Sequence, residues 1–296
     1  MDKRIFAVLL IGLFSCGSDN SESIASTDVV EEIDSVMTDS IVTDSVEIVE
    51  WIEEKHDCFA FGYANEKGDK LLLLGDEDED RLEEFSKVLD ADGNWLDISF
   101  QGMQAETEEN NHRQNVYNFE NAAGPLFSVE NGVVDEWNTA FVVTDDFFEN
   151  HEVLKSHPVK FTTLKENDRK LIEQNRDRKI IRSETVNAYD NGILYFIEFE
   201  VENDSALVSL CWMDNDNKLS YKDFPALSNE ISTWSVDDGG IFEFEYYQIL
   251  AMIQGPNGIE LFVDWVGAEG NSINYLILKE GEFESVKGGY RYMAPL

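Results

Sequence analysis

Four histidines, three cysteines and 61 carboxylates are the side chains that could carry acid–base, nucleophilic or metal chemistry in this chain. His151-Glu152 with His157 comes nearest to a zinc-binding pair. A helical zinc motif needs imidazoles at i and i+4. A spacing of six turns them about 240° apart on a helix and sets them roughly 20 Å apart on a strand. They read as surface histidines, and no metal site is expected. Glu198 and Glu200 fall on one face of a strand with Cα atoms about 6.6 Å apart. That lies close to the separations of about 5.5 Å or about 6.5–9.5 Å at which paired carboxyls cleave glycosides. Such pairs arise by chance among so many acids, and a wet outer face accounts for this one. The acidic runs at 76–80, 90–94 and 214–216 lack the spaced ligands and central glycine of a calcium loop and read as solvated turns. No Gly-x-Ser-x-Gly elbow, phosphate loop or dinucleotide fingerprint occurs. No cofactor and no catalytic residue are therefore expected.

The cysteines divide into two kinds. Cys58 and Cys211 have no local partner, so two buried thiols and one long-range disulfide both stay open. Cys16 stands at the end of a short address. Lys3 and Arg4 form a cationic start, Ile5 to Phe14 is an apolar or glycine run, and Leu13-Phe14-Ser15-Cys16 closes it. This resembles the lipobox of bacterial lipoprotein precursors, in Leu13, Ser15 and Cys16. The resemblance implies cleavage before Cys16, removing residues 1–15, a diacylglyceryl group on the Cys16 sulfur and an acylated new amino terminus. Each buried methylene contributes about 0.8 kcal/mol, and two or more chains attach stably. The resemblance thus implies a bacterial cell-envelope protein, lipid-anchored to a membrane, in the first instance the outer one, periplasmic or surface-exposed.

From Gly17 to Glu50 there is no aromatic, proline or basic residue, and Asp-Ser-Val/Ile recurs at 34, 39 and 44. A period of five matches neither strand nor helix, so residues 16–50 read as an acidic disordered tether. Such a chain spans roughly 35 Å on average and up to about 120 Å when stretched.

Residues 51–296 have globular character, and strand signals dominate. Cys58–Tyr63 and Leu71–Leu74 flank a turn at Lys67-Gly68-Asp69, and Phe85–Leu89 and Trp95–Phe100 flank Asp92-Gly93-Asn94. Ala140–Val143 reads as a further short strand. Ile193, Tyr195, Ile197, Phe199 and Val201 alternate, as do Phe242, Phe244 and Tyr246. Turn pairs such as Asn191-Gly192 and Asn257-Gly258 punctuate the second half. One helix is expected over 164–177, with Thr163 as N-cap and Glu166 reaching back, and Leu164, Leu171 and Ile172 as its apolar stripe. The fold class is therefore mainly β (α+β): an antiparallel sandwich, meander or propeller-like domain with one prominent amphipathic helix. That helix divides two β lobes, 51–158 and 178–296. Gly255–Val263 followed by Gly281-Glu282-Phe283 resembles a half-blade of an integrin-type propeller repeat, though without its calcium-binding carboxylates.

The net charge of −39 excludes a nucleic-acid binder, since phosphate recognition rests on Lys and Arg. Yet nine of the 22 basic residues fall between Lys155 and Arg182. Arg169, Lys170, Arg176, Arg178, Lys179 and Arg182 are either paired with the protein's own acids or a docking patch for an anionic envelope partner. Exposure is expected for Trp51 and Trp137, burial for Trp212 and Trp265. The role that fits is non-catalytic: a lipid-anchored binding, interaction or structural module. The alternative is an envelope hydrolase acting on glycans.

Overall fold

A computed structural model describes residues 57–293 apart from 76, 158, 160–162 and 229–240. The expected lipidation site at Cys16, the expected tether at 16–50, Trp51 and Lys160 lie outside the described residues. The fold is mainly β and antiparallel, in two lobes.

The first lobe is a closed six-stranded barrel in the order β1-β2-β5-β4-β3-β6. Its strands are β1 (Phe59–Ala64), β2 (Lys70–Leu73), β3 (Phe85–Leu89), β4 (Trp95–Gln104), β5 (Gly124–Glu130) and β6 (Ala140–Thr144). Strand β1 shows why it closes so tightly. Its inward positions are Ala60, Gly62 and Ala64, and a Cβ on Gly62 would meet the Leu72 carbonyl at 2.8 Å. Small residues there let Leu71, Leu73, Val88, Ile98, Phe127 and Val142 fill the interior. The outward positions Phe59, Phe61 and Tyr63 are just as buried, because they face the second lobe.

That lobe is a curled nine-stranded sheet, ordered β7-β12-β13-β14-β15-β11-β10-β9-β8. It contains β7 (Glu152–Val153), β8 (Ile180–Tyr189), β9 (Gly192–Phe199), β10 (Ser205–Asp214), β11 (Leu219–Leu227), β12 (Tyr247–Gly255), β13 (Gly258–Val266), β14 (Gly270–Lys279) and β15 (Glu282–Tyr292). Two four-stranded meanders, β8–β11 and β12–β15, meet where β11 and β15 run parallel, with Tyr221 opposite Glu282. The order is symmetric about that seam. The two-residue turns Asp190-Asn191 and Pro256-Asn257 occupy matching places and precede Gly192-Ile193 and Gly258-Ile259.

Both faces of each meander are covered, which is why the alternation of Ile193, Tyr195, Ile197 and Phe199 is only half the pattern. Leu194 and Phe196 are equally buried, inside the curl with Leu210, Trp212, Leu261 and Val263. The odd-numbered set packs under α1 (Glu166–Arg176), whose Leu164, Leu171 and Ile172 stripe lies on Tyr195, Ile197, Cys211 and Tyr221. On the other meander, Phe262, Ile273 and Tyr275 pack against Phe59, Phe61 and Phe141 of the barrel. The two lobes thus share a continuous core.

Three local expectations are corrected. Helix α1 starts at Glu166 with extended Lys165 as its N-cap, so exposed Thr163 and Glu166 form no capping box. The acids Glu166 and Asp168 in the first turn complement the helix dipole instead. Phe242, Phe244 and Tyr246 do not form a strand: Phe244–Tyr246 is a 3-10 turn that drops Phe242 and Phe244 into the curl and leaves Tyr246 outside. Residues 255–283 belong to the β12–β15 meander, not to a propeller blade.

Candidate functional site

Three connections converge at one end of the curled sheet: the β8–β9 turn, the β10–β11 loop and the β12–β13 turn. Between them lies a cleft of about 430 Å³. Its apolar side is Trp212, Ile259 and Leu278, and its polar side includes Asn191, Asp214, Asp216 and Lys218. Gly192 lets Trp212 reach this position, because a Cβ there would stand 2.5 Å from the indole ring. The loops are tied to each other through the backbone. Asp214 Oδ1 accepts the backbone N–H groups of Asp216 at 2.9 Å and Lys218 at 2.8 Å. Asn215 donates its side-chain amide to the Asp190 carbonyl at 2.8 Å and its backbone N–H to the Asn191 carbonyl at 3.2 Å. Asn191 Oδ1 is buried and accepts no hydrogen bond among the described residues. Such an acceptor costs free energy unless something donates to it.

The basic residues around α1 are engaged by the protein's own surface. Arg176 pairs with Asp223 and lies 4.2 Å over the Tyr221 ring. Arg182 pairs with Glu198 at 2.7 Å, lies 4.0 Å over Phe244 and donates to the Phe242 carbonyl. Arg178 donates to the carbonyls of Glu200 and Ser205, which fastens the helix C-terminus to the neighbouring hairpin. Arg169 donates to the Ile180 carbonyl at 3.0 Å, and Lys170 faces Glu166 at 3.3 Å. Lys179 holds the Glu173 carboxyl below its ordinary range, helped by the Ile180 N–H. A second cleft, of about 310 Å³, lies beside Lys170, Arg178 and Lys179 and is also lined by Glu173 and Asp177.

The deepest polar groups lie at the junction of the lobes. Glu260 and Asp264 alternate onto the barrel-facing side of β13, flanking Phe262. Glu260 accepts from the Tyr275 hydroxyl and lies 3.4 Å from His151 Nε2. His151 Nδ1 sits 2.9 Å from the Phe147 carbonyl, which can only accept, so Nδ1 carries the donating hydrogen. One proton must then sit between Nε2 and the carboxyl for that contact to attract. His151 is not a surface histidine: its side chain is 9% exposed and stacks on Phe147. His157 is exposed and bonds Asp190 at 2.7 Å.

Asp264 Oδ2 accepts from Thr139 Oγ1 at 2.7 Å and Asn271 Nδ2 at 3.0 Å, while its Oδ1 accepts no hydrogen bond among the described residues. Burial raises its pKa above the ordinary carboxylate value. Arg291, 0% exposed, donates to the carbonyls of Gln114 and Trp137, both at 2.8 Å, and burial pushes it down to about 10. For both groups desolvation exceeds their mutual attraction. Arg291 fixes the docking of the lobes through those carbonyls, with no direct ion pair to Asp264 among the described residues.

Glu198 and Glu200 do not face each other across a cleft; Glu198 is bound to Arg182 and Glu200 is exposed. Cys58 lies beside the inter-lobe core and Cys211 beneath α1, and no disulfide joins them. Trp137 is 43% exposed beside Tyr117, Trp212 is buried, and Trp265 is half-buried. The convergent cleft was missed from sequence, although its three turns were read: the 190–191 and 256–257 turns are 66 residues apart and meet only through the sheet order. No protein-family model, curated protein or solved structure matches the chain.

Proposed function

We propose that the protein is a non-catalytic binding module presented at a bacterial cell envelope, with Cys16 as its lipid attachment site and residues 16–50 as spacer. The observation that supports binding is the cleft at the hairpin end. Asp214 is committed there to holding backbone N–H groups, which fixes the loop, and Asp216 and Lys218 line the opening. An anionic envelope partner at the α1 patch has less support, because each of its six cations already serves an internal acceptor.

The test is mass spectrometry of the native protein with detergent-phase partition. A chain starting at lipidated Cys16, and loss of partition in Cys16→Ala, are expected. An unmodified chain beginning at Met1 would overturn the placement. Cleavage of a bound glycan over hours would instead favour a hydrolase, a reading that Asp214 and Asp216 in one cleft keep testable.

A further inference from the structure

We infer that the Asn131-Gly132 bend between β5 and β6 is a site of spontaneous modification, where the asparagine amide passes through a cyclic imide to aspartate and isoaspartate. Asn-Gly occurs in the chain at 131–132, 191–192 and 257–258. In the reaction, the backbone nitrogen after the asparagine gives its proton to a solvent base and attacks the side-chain carbonyl carbon. A carbon–nitrogen bond forms there, the bond to Nδ2 breaks, and ammonia leaves. Water then opens the ring at either carbonyl, so amide and water become acid and ammonia. Glycine is the most permissive follower, because it has no Cβ to hinder the attack.

The fold separates the three pairs. The attack needs a glycine N–H that no acceptor holds and an asparagine able to turn onto it. Gly192 opens β9 and pairs with both Tyr189 and Asp214, while Asn191 is tied to Asn215 and has its Oδ1 buried. Gly258 opens β13 and pairs with Gly255 across its turn. Asn131 and Gly132, by contrast, are exposed and lie outside every strand. Neither the Gly132 N–H nor the Asn131 side chain makes a hydrogen bond among the described residues. Packing nonetheless holds this labile pair in place. Asn131 has a φ of 61°, which asparagine tolerates, and a Cβ on Gly132 would stand 2.7 Å from Leu96. Conversion adds a carboxylate, and isoaspartate lengthens the backbone shortly before Val134, whose N–H bonds the Gly68 carbonyl at 3.0 Å. The same connection carries the Trp137 carbonyl that receives Arg291.

The experiment ages the full-length protein in detergent at mildly alkaline pH, beside a sample in urea, and follows each Asn-Gly pair by peptide mapping that resolves isoaspartate. In the folded protein Asn131 should convert at least about tenfold faster than Asn191 or Asn257, whose glycines react only after their ladders open. Isoaspartate should appear among the products. Asn131→Gln should abolish the conversion, because its longer side chain closes a less favourable ring. In urea, where the ladders are gone, the advantage of Asn131 should vanish. Equal rates at the three pairs in the folded protein, or an intact Asn131 while the urea sample reacts, overturns the inference. An advantage that persists undiminished in urea overturns it too, since the selection would then come from neighbouring sequence and not from the fold.

Discussion

Gly255 makes the space that the Glu260 carboxylate occupies. A Cβ built on Gly255 falls inside that carboxylate, so no other residue fits at this point of β12 while Glu260 stays buried. The glycine is selected by a neighbour across the hairpin, not by its own backbone angle. Gly255→Ala should therefore destabilise the fold by about 1–3 kcal/mol or more, as the carboxylate is driven from Tyr275 and His151. Urea unfolding measures this. Unchanged stability would mean that Glu260 leaves the junction at little cost.

Buried Arg291 gives a second expectation. Arg291→Met strips the donors from three backbone carbonyls at the lobe junction, a loss of about 3 kcal/mol or more. Arg291→Lys should restore little, because an ammonium cannot span the Gln114 and Trp137 carbonyls as a guanidinium does. A lysine variant with native unfolding free energy would contradict this.

Asp264 also sets a pH dependence. Its folded pKa is raised, so the native state holds the proton more tightly than the unfolded chain. The resulting stabilisation is present in full below the unfolded value of about 3.9 and is lost as pH rises through the folded one. Asp264→Asn carries no such titration, and its stability relative to native should improve as pH increases from about 4. Parallel melting-temperature curves for the two proteins would refute this.

Cysteine labelling tests the packing under α1. Burial pushes the Cys211 thiol up to about 12, so alkylation near pH 8 should spare it in the folded protein and reach partly exposed Cys58 first. Both should label in urea without reductant. Failure of both to label would reveal a disulfide and require a different arrangement of the two lobes.

The net charge of −39 opposes compaction by self-repulsion, which salt screens. Melting temperature should rise between low and moderate ionic strength. A flat response would show that local ion pairs offset the surplus.

Hairpins were the legible part of this chain. β1–β2, β3–β4 and the turns before Gly192 and Gly258 announce themselves through glycine or asparagine between apolar runs. Faces were less legible. Alternation marks one buried side, but β9 and β13 are covered on both, and only the curl and the barrel reveal the second. Phe242 and Phe244 misled for a related reason: period-two spacing also suits side chains dropped from a coil into a cavity. His151 looked solvated because its burial depends on Phe147, four residues before it, and on Glu260, 109 residues after it. Nothing local encodes that meeting.

Strand β15 comes last of the nine in chain order but sits fifth in the sheet, between β14 and β11. Neither meander can join the other until the start of β15 at Glu282 has been synthesised, and Arg291 reaches the barrel loops later still. Delayed closure leaves apolar strand edges of both meanders open in the meantime, which makes the partly made sheet prone to misassembly.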